Sequence, residues 1–196
     1  MKRILDVIFS LSALIFLFPA LIIIGGILKL DGGPAIFSQE RVGRGETTFR
    51  IFKFRSMIVN AEKQGASVTA ESDPRITLLG RWLRKTKIDE LPEFFNVLKG
   101  DMSIVGPRPE VPAYVALWSE EDRKAILSIR PGITDYATLH YHDEQAVLSL
   151  SDDLEKSYVE QIMPHKVSLY RDYLRDRNLG LDLRIILATL ARMAGF

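Results

Sequence analysis

The longest hydrophobic run opens the chain. Residues 7–28 carry no charge, and at ~1.5 Å per residue this stretch is long enough for a membrane helix. Pro19 lies in the middle of it, where proline removes a backbone donor and kinks or breaks a helix. Lys2 and Arg3 precede the run and Lys29, Arg41 and Arg44 follow it, so the cations define no crossing direction. A re-entrant helix hairpin, broken at Pro19, puts both ends on the cytoplasmic side. Its arms, roughly 12 and 9 residues, would each reach about one leaflet deep. A straight crossing helix and a secretory signal peptide are the alternatives, and no small-x-small cleavage site follows the run to support the second.

The period changes after the turn cluster Asp31-Gly32-Gly33-Pro34. Residues 35–38 and 49–54 read as two short strands of a β-hairpin, with Gly43 and Gly45 in the turn and Lys53 and Arg55 projecting from the second strand. Residues 57–65 suggest a short helix and 67–74 a polar loop. Ile76, Leu79, Trp82 and Leu83 then define an amphipathic helix whose other face carries Arg81 and Arg84. Leu91, Phe94, Phe95 and Leu98 recur at helical spacing, with Pro92 tolerable only near the start and Gly100 where a left-handed turn ends a helix.

Ser119 caps an acidic helix start leading into residues 125–129. Residues 152–176 form a long helical stretch interrupted near Pro164. Residues 179–192 close the chain as a basic, strongly apolar helix, either flat on a membrane surface or buried in the core. The pattern predicts an α+β, mostly helical fold with interfacial amphipathic helices. Residues 1–30 form the membrane element, and 31–196 form one further domain, with no linker long enough to divide it.

Composition narrows the chemistry. A net charge of +1 over 196 residues points to no partner in bulk. Between Arg41 and Arg108, however, thirteen Lys or Arg face eight Asp or Glu, a local bias that suits anionic ligands or an anionic membrane surface. No helix-turn-helix, zinc-finger or RNA-recognition signature accompanies that bias, so nucleic acid is not the expected partner. With no cysteine, disulfides and thiol catalysis are excluded.

Asp89 and Glu90 stand at the predicted start of the helix that Gly100 ends, where free N–H groups and the positive end of the dipole stabilise carboxylates and phosphates. Taken alone, the pair reads as an ordinary cap. Arg81, Arg84, Lys85 and Lys87 just before it, and Arg108 held between Pro107 and Pro109, suit metal-assisted work on a phosphate better. Arg130, aimed by the turn at Pro131-Gly132, is another candidate phosphate grip. His140 and His142 alternate as in a strand with both rings on one face, or as a metal pair.

The run from Lys85 to Pro109 resembles the signature of the bacterial sugar transferase family, the small monotopic phosphoglycosyl transferases of cell-envelope glycan assembly. Further motifs in order extend the resemblance over most of the chain: Phe37-Ser38-Gln39 with Arg41-Val42-Gly43, Phe52-Lys53-Phe54-Arg55-Ser56-Met57, Asp73-Pro74-Arg75-Ile76-Thr77, Arg130-Pro131-Gly132-Ile133-Thr134 and Leu181-Asp182-Leu183. The resemblance implies a re-entrant membrane helix and a catalytic domain on the cytoplasmic face of the bacterial inner membrane. It implies transfer of a phospho-sugar from a UDP-sugar to polyprenol (undecaprenyl) phosphate, with release of UMP, as the first membrane step of glycan assembly. Asp89 would be the nucleophile of a covalent intermediate, Asp89 and Glu90 would hold Mg²⁺, with Glu90 alternatively assisting proton movement, and Lys53, Arg84, Arg108 and Arg130 would bind substrate phosphates. A homo-oligomer is compatible with it. After Thr134 the chain reads Asp135-Tyr136-Ala137-Thr138 where many members carry Gly-x-Ala-Gln, which leaves the sugar open. A membrane-anchored metal-dependent phosphohydrolase and a non-enzymatic membrane tether are the competing readings.

Overall fold

In the computed structural model, the described residues are 1–30, 32–61, 64, 68–69, 72–139 and 153–193. The fold is mostly helical, with two small sheets. Helix α1 (Lys2–Lys29) is, among the described residues, the one helix long and apolar enough to cross a membrane. Its hydrogen-bonded run continues through Pro19 rather than stopping there.

Both ends of α1 are fastened to the rest of the molecule. Near its start, Lys2 pairs with Asp182 at 2.6 Å, and Asp6 accepts from the Ser103 hydroxyl at 2.8 Å and the Ile104 amide at 3.3 Å. Phe9 lies against Phe94, with ring centroids 6.2 Å apart. At its other end, Leu28 is buried with Phe54 and Leu83, and the Leu28 carbonyl accepts from Arg55 Nη2 at 2.7 Å. Arg55, expected to project from the second strand, lies just beyond its end and is buried, with its guanidinium on the C-terminus of α1. Between the two anchorages Ile15, Phe16, Phe18, Pro19 and Ala20 are all exposed.

Strands β1 (Ile36–Val42) and β2 (Thr48–Phe54) pair antiparallel, Ile36 opposite Phe54 and Val42 opposite Thr48. The turn between them takes Gly45 to φ 69°, a left-handed conformation that glycine adopts without cost. The expected helix at 57–65 is not what its described residues form: Met57 makes a bridge to Ile76, and Val59 and Asn60 turn. Residues 62–63, 65–67 and 70–71 lie outside the described residues.

Helix α2 (Leu78–Lys85) starts at Thr77, whose hydroxyl accepts from the Gly80 amide at 2.9 Å. Gly80 lies on the backbone of Ser56, where an added Cβ would come within 1.8 Å of the Ser56 carbonyl oxygen. Helix α3 (Glu93–Lys99) ends at Gly100, φ 97°. Strand β3 (Ser103–Val105) pairs in parallel with β4 (Gly132–Thr134). That pairing lays the Gly106–Pro109 run along the Arg130–Thr134 run, so close that a Cβ on Gly132 would meet the Gly106 nitrogen at 2.1 Å.

Helices α4 (Pro112–Val115) and α5 (Glu120–Ile126) lie between those strands in sequence, and Ser119 caps α5 as predicted, accepting from the Asp122 amide at 3.1 Å. The long helix after residue 152 is three segments in line: α6 (Leu154–Ser157), a wide π-type stretch (Tyr158–Ile162) and α7 (Met163–Asp176). The wide stretch ends just before Pro164, whose ring and missing N–H disfavour a regular α-turn there. Helix α8 (Leu179–Met193) buries Asp182 and Ile185 and exposes Leu183, Leu187 and Leu190. It thus serves core and surface at once. The largest core cluster joins Tyr114, Trp118, Ile126, Tyr158, Ile162, Leu169 and Tyr170.

Candidate active site

Helix α3 is turned inside out. Leu91 just before it and Phe94, Phe95 and Leu98 within it are half-buried or exposed, Phe95 at 47%, while Glu93, Asn96 and Val97 are 0–1% exposed. The buried face is mostly polar because it is partnered. Asn96 Oδ1 accepts from the Phe52 amide at 3.0 Å and its Nδ2 donates to the Arg50 carbonyl at 2.7 Å. These two hydrogen bonds to the backbone of β2 fix the strand against the helix and set Lys53 beside Glu93. A buried polar group left unsatisfied costs about 1–3 kcal/mol, so Asn96 has a defined job.

The acid pair lies on a single 3₁₀ turn (Ile88–Glu90) that leads into α3, so the sequence placed it correctly at the entry of that helix. The turn is entered through Lys87, a non-glycine residue at φ 56°, a conformation that costs about 1–3 kcal/mol and is retained where surrounding structure demands it. Ile88 packs in the apolar cluster of Leu28 and Phe54, with Leu21 and Ile24 of α1. The pair therefore sits at the root of the apolar helix.

Asp89 and Glu90 are both buried, at 7% and 9% exposure. Glu90 Oε1 accepts from Lys53 Nζ at 2.7 Å and from Arg108 in a short contact. Lys53 also lies 3.2 Å from Glu93. Burial pushes the Asp89 carboxyl up to about 6, with the Glu90 charge adding to it and Lys53, Lys87 and Arg84 opposing. Burial likewise pushes Glu93 to about 7, against the pull of Lys53. Burial acts on Glu90 too, yet Arg108, then Lys53 and Lys87, hold it well below the usual carboxylate range. Two acids poised near neutrality thus flank one locked in its ionised form. Asp89 Oδ1 is buried with no hydrogen-bond partner.

Arg84 donates from Nε to the Ser56 hydroxyl at 2.9 Å and lies in the field of Asp89 and Asp73. Asp73 and Arg75 form a buried pair, bonded at 2.7 Å, which makes the Asp73–Thr77 motif scaffolding for α2. Lys53, Arg84 and Arg108 are therefore brought to the acid pair as expected. Arg130 is not. Its Nε donates to the Gly100 carbonyl at 2.7 Å, at the far end of α3, and its charged neighbours are Arg44, Arg3 and Asp6. There, with Arg3 bonded to the Leu98 carbonyl at 3.3 Å, it complements the negative end of the helix.

Glu93 and Asn96 were missed as members of the site. The signal was present: Asp89, Glu93 and Asn96 share one face at spacings of four and three, opposite the apolar stripe. His140 and His142 lie outside the described residues, and among those described no group of three His, Cys, Asp or Glu is arranged to hold a metal ion. The donor set still fits Mg²⁺ in the manner usual for that ion, through one or two carboxylates, with water and substrate phosphate completing the shell. Of that set, Asp89 Oδ1 is the oxygen left without a hydrogen-bond partner, while Glu90 Oε1 is engaged by Lys53 and Arg108.

The chain belongs to the bacterial sugar transferase family, whose sequence profile matches residues 1–195. It is 36% identical over 192 residues to the UDP-N-acetylgalactosamine-undecaprenyl-phosphate N-acetylgalactosaminephosphotransferase of Aeromonas hydrophila, covering 96% of this chain and 42% of that one. It is 38% identical over 198 residues to the undecaprenyl-phosphate glucose phosphotransferase of Komagataeibacter xylinus, covering 97% and 35%. Against the UDP-glucose:undecaprenyl-phosphate glucose-1-phosphate transferase of Escherichia coli (strain K12) it is 34% identical over 197 residues, covering 97% and 39%. The chain thus spans 35–42% of the length of these curated relatives.

Proposed function

We propose that this chain transfers a phospho-sugar from a UDP-sugar to polyprenol phosphate, with Asp89 as the nucleophile. The observation that carries this is the buried Asp89 carboxylate, with one oxygen unpartnered, among Lys53, Arg84 and Lys87 and beside the Glu90–Arg108 pair. In the first step a bond forms between an Asp89 oxygen and the sugar-bearing phosphorus of the donor. The bridging P–O bond breaks, and UMP leaves with its electron pair. In the second step a phosphate oxygen of the lipid attacks the same phosphorus, giving polyprenol-diphosphate-sugar and returning Asp89 as a carboxylate. A carboxylate can act as such a nucleophile.

Each neighbour has a physical role. Arg108 and Lys53 keep Glu90 ionised, and with Arg84 they offset the negative charge that develops on the transferring phosphoryl group and on UMP. Mg²⁺ held by Asp89 and Glu90 would supply Lewis-acid stabilisation of that charge. Glu93, poised near neutrality beside Lys53, is suited to take or give a proton there.

The lipid acceptor requires the site to stand at a bilayer, and α1 supplies that seat. Fastening at both ends, with an exposed apolar middle at Pro19, suits a re-entrant helix with both ends on the cytoplasmic face of the inner membrane. The sugars in the relatives' names differ, N-acetylgalactosamine in one and glucose in two, so an assay identifies the donor sugar. The test is a panel of UDP-sugars with undecaprenyl phosphate and Mg²⁺. UMP release that depends on the lipid, with at least one sugar, is expected. Release of inorganic phosphate or free sugar phosphate without the lipid would point instead to a phosphohydrolase.

A further inference from the structure

Glu110, two residues beyond Arg108, carries a buried carboxylate that the transfer chemistry does not use. Its Oε1 accepts from the Tyr158 hydroxyl at 2.5 Å and from Lys166 Nζ at 3.3 Å, and Arg41 Nη1 lies 3.8 Å from its other oxygen. Burial opposes the charge, yet Lys166 and then Arg41 hold the carboxyl below its ordinary value. Elements distant in sequence thus converge on one side chain: the end of β1, the wide stretch that begins at Tyr158, and α7. Such wide turns are rare and recur at functional sites. A buried ion cluster is seldom the most stable filling for a core, since apolar residues of the same volume often do as well or better. What it can add is a defined position for the groups it holds.

The group held here is the backbone around Arg108. Arg41, besides facing Glu110, donates from Nη1 to the Pro109 carbonyl at 3.1 Å, and the Val42 amide donates to the Glu110 carbonyl at 3.0 Å. On the other side, the Gly132 amide donates to the Pro107 carbonyl at 2.9 Å and the Gly106 amide to the Thr134 carbonyl at 3.1 Å. Arg108 is therefore strung between two fastened points, and its guanidinium reaches Glu90 from there. The side towards Gly106 is fastened by backbone pairing that continues the β3–β4 ladder. The side towards Glu110 depends on the Arg41 side chain as well. We propose that Glu110 is a positioning residue for Arg108: locked by Tyr158 and Lys166, it holds Arg41 on the Pro109 carbonyl and so aims the Arg108 guanidinium at the phosphoryl group in transfer. The proposal rests on the transferase reading above and adds to it residues that touch no substrate.

A double-mutant cycle tests it, in the full chain in detergent micelles. Glu110→Gln keeps the shape and removes the charge, and Tyr158→Phe removes one hydroxyl while leaving the ring against Tyr114. In lipid-dependent UMP release, Glu110→Gln is expected to lower kcat about tenfold and Tyr158→Phe about threefold, with the KM for both substrates within about twofold. In an Arg108→Ala background each change should lower kcat by no more than about a further 1.5-fold, since no guanidinium is left to aim. A purely structural role would give the same factor in both backgrounds, and that result would overturn the proposal. So would wild-type kcat in both single variants. Should Glu110→Gln fail to fold, Tyr158→Phe carries the same comparison. If the wild type forms no UMP with any UDP-sugar and undecaprenyl phosphate, the transferase reading fails on its own. The cycle is then read from unfolding midpoints in denaturant: shifts that add would overturn the coupling of Glu110 to Arg108, and shifts that do not add would sustain it.

Discussion

Lys53 stands between two buried carboxylates of opposite character, Glu90 held ionised and Glu93 pushed up to about 7. Glu93 is an acid whose folded value lies above its unfolded one, so the folded state binds the extra proton. Its contribution to stability is therefore fully present below about 4.5 and is lost as pH rises towards 7. Glu93→Gln, which removes that titration, should flatten the fall in Tm between pH 5 and 8, with the variant gaining on wild type at the alkaline end. Thermal unfolding at several pH values checks this. Asp89, pushed up to about 6, must lose its proton to hold a cation. In the absence of nucleotide, Mg²⁺ affinity should weaken by about tenfold per pH unit below that value, as measured by calorimetry. Arg108→Ala leaves Glu90 buried with Lys53 as its hydrogen-bonded cation and Lys87 further off. Loss of one charge-stabilising donor typically costs about 2.7–4 kcal/mol in the barrier, and a fall of 10²–10³ in kcat is expected.

At the scale of elements, the sequence was most informative where backbone chemistry is local. Gly100 ending a helix, Ser119 capping one and the β-hairpin around Gly45 all follow from short-range rules, and all are present. The orientation of α3 was not legible by the same means. Hydrophobic periodicity reports which face is apolar, and in a soluble protein that face turns inward. Here Asn96 and Glu93 turn inward, because partners from β2 satisfy them, and Phe95 turns out. The short helix expected at 57–65 failed at its start for a similar reason: Met57 is claimed by Ile76 in a long-range bridge. The parallel pairing of β3 with β4 was equally out of reach, since it joins residues about thirty apart in the chain. Gly80 gives a test at this scale. A methyl group there would collide with the Ser56 carbonyl, so Gly80→Ala should push α2 away from Ser56 and disturb the Arg84–Ser56 bond. A stability loss of about 1–3 kcal/mol is expected from denaturant unfolding, with kcat falling alongside it.

For the molecule as a whole, the apolar helix α1 and the candidate site are joined in one body. Asp6 bonds to the strand that leads into Arg108, and Leu28 packs with Ile88 beside Asp89. The position of α1 and the shape of the site are thereby coupled. The apolar run and its flanking cations were evident in the sequence; the fastening of both its ends to one body was not, because it depends on Asp182, Ser103 and Arg55 far along the chain. The absence of native cysteine makes topology simple to measure. Cysteines placed singly at Lys2 and Lys29 should both react with an impermeant thiol reagent from the cytoplasmic side of inverted vesicles. Reaction from opposite sides would establish a crossing helix instead.

The central claim is that Asp89 becomes covalently bonded to phosphorus, and intact-mass analysis tests it most directly. Protein incubated with its UDP-sugar and Mg²⁺, without lipid acceptor, should gain the mass of one phospho-sugar. The added mass should map to the peptide containing Asp89, be absent in Asp89→Asn, and be discharged when undecaprenyl phosphate is added. Lipid-dependent turnover with no mass gain in acceptor-free protein, or full activity in Asp89→Asn, would contradict the account.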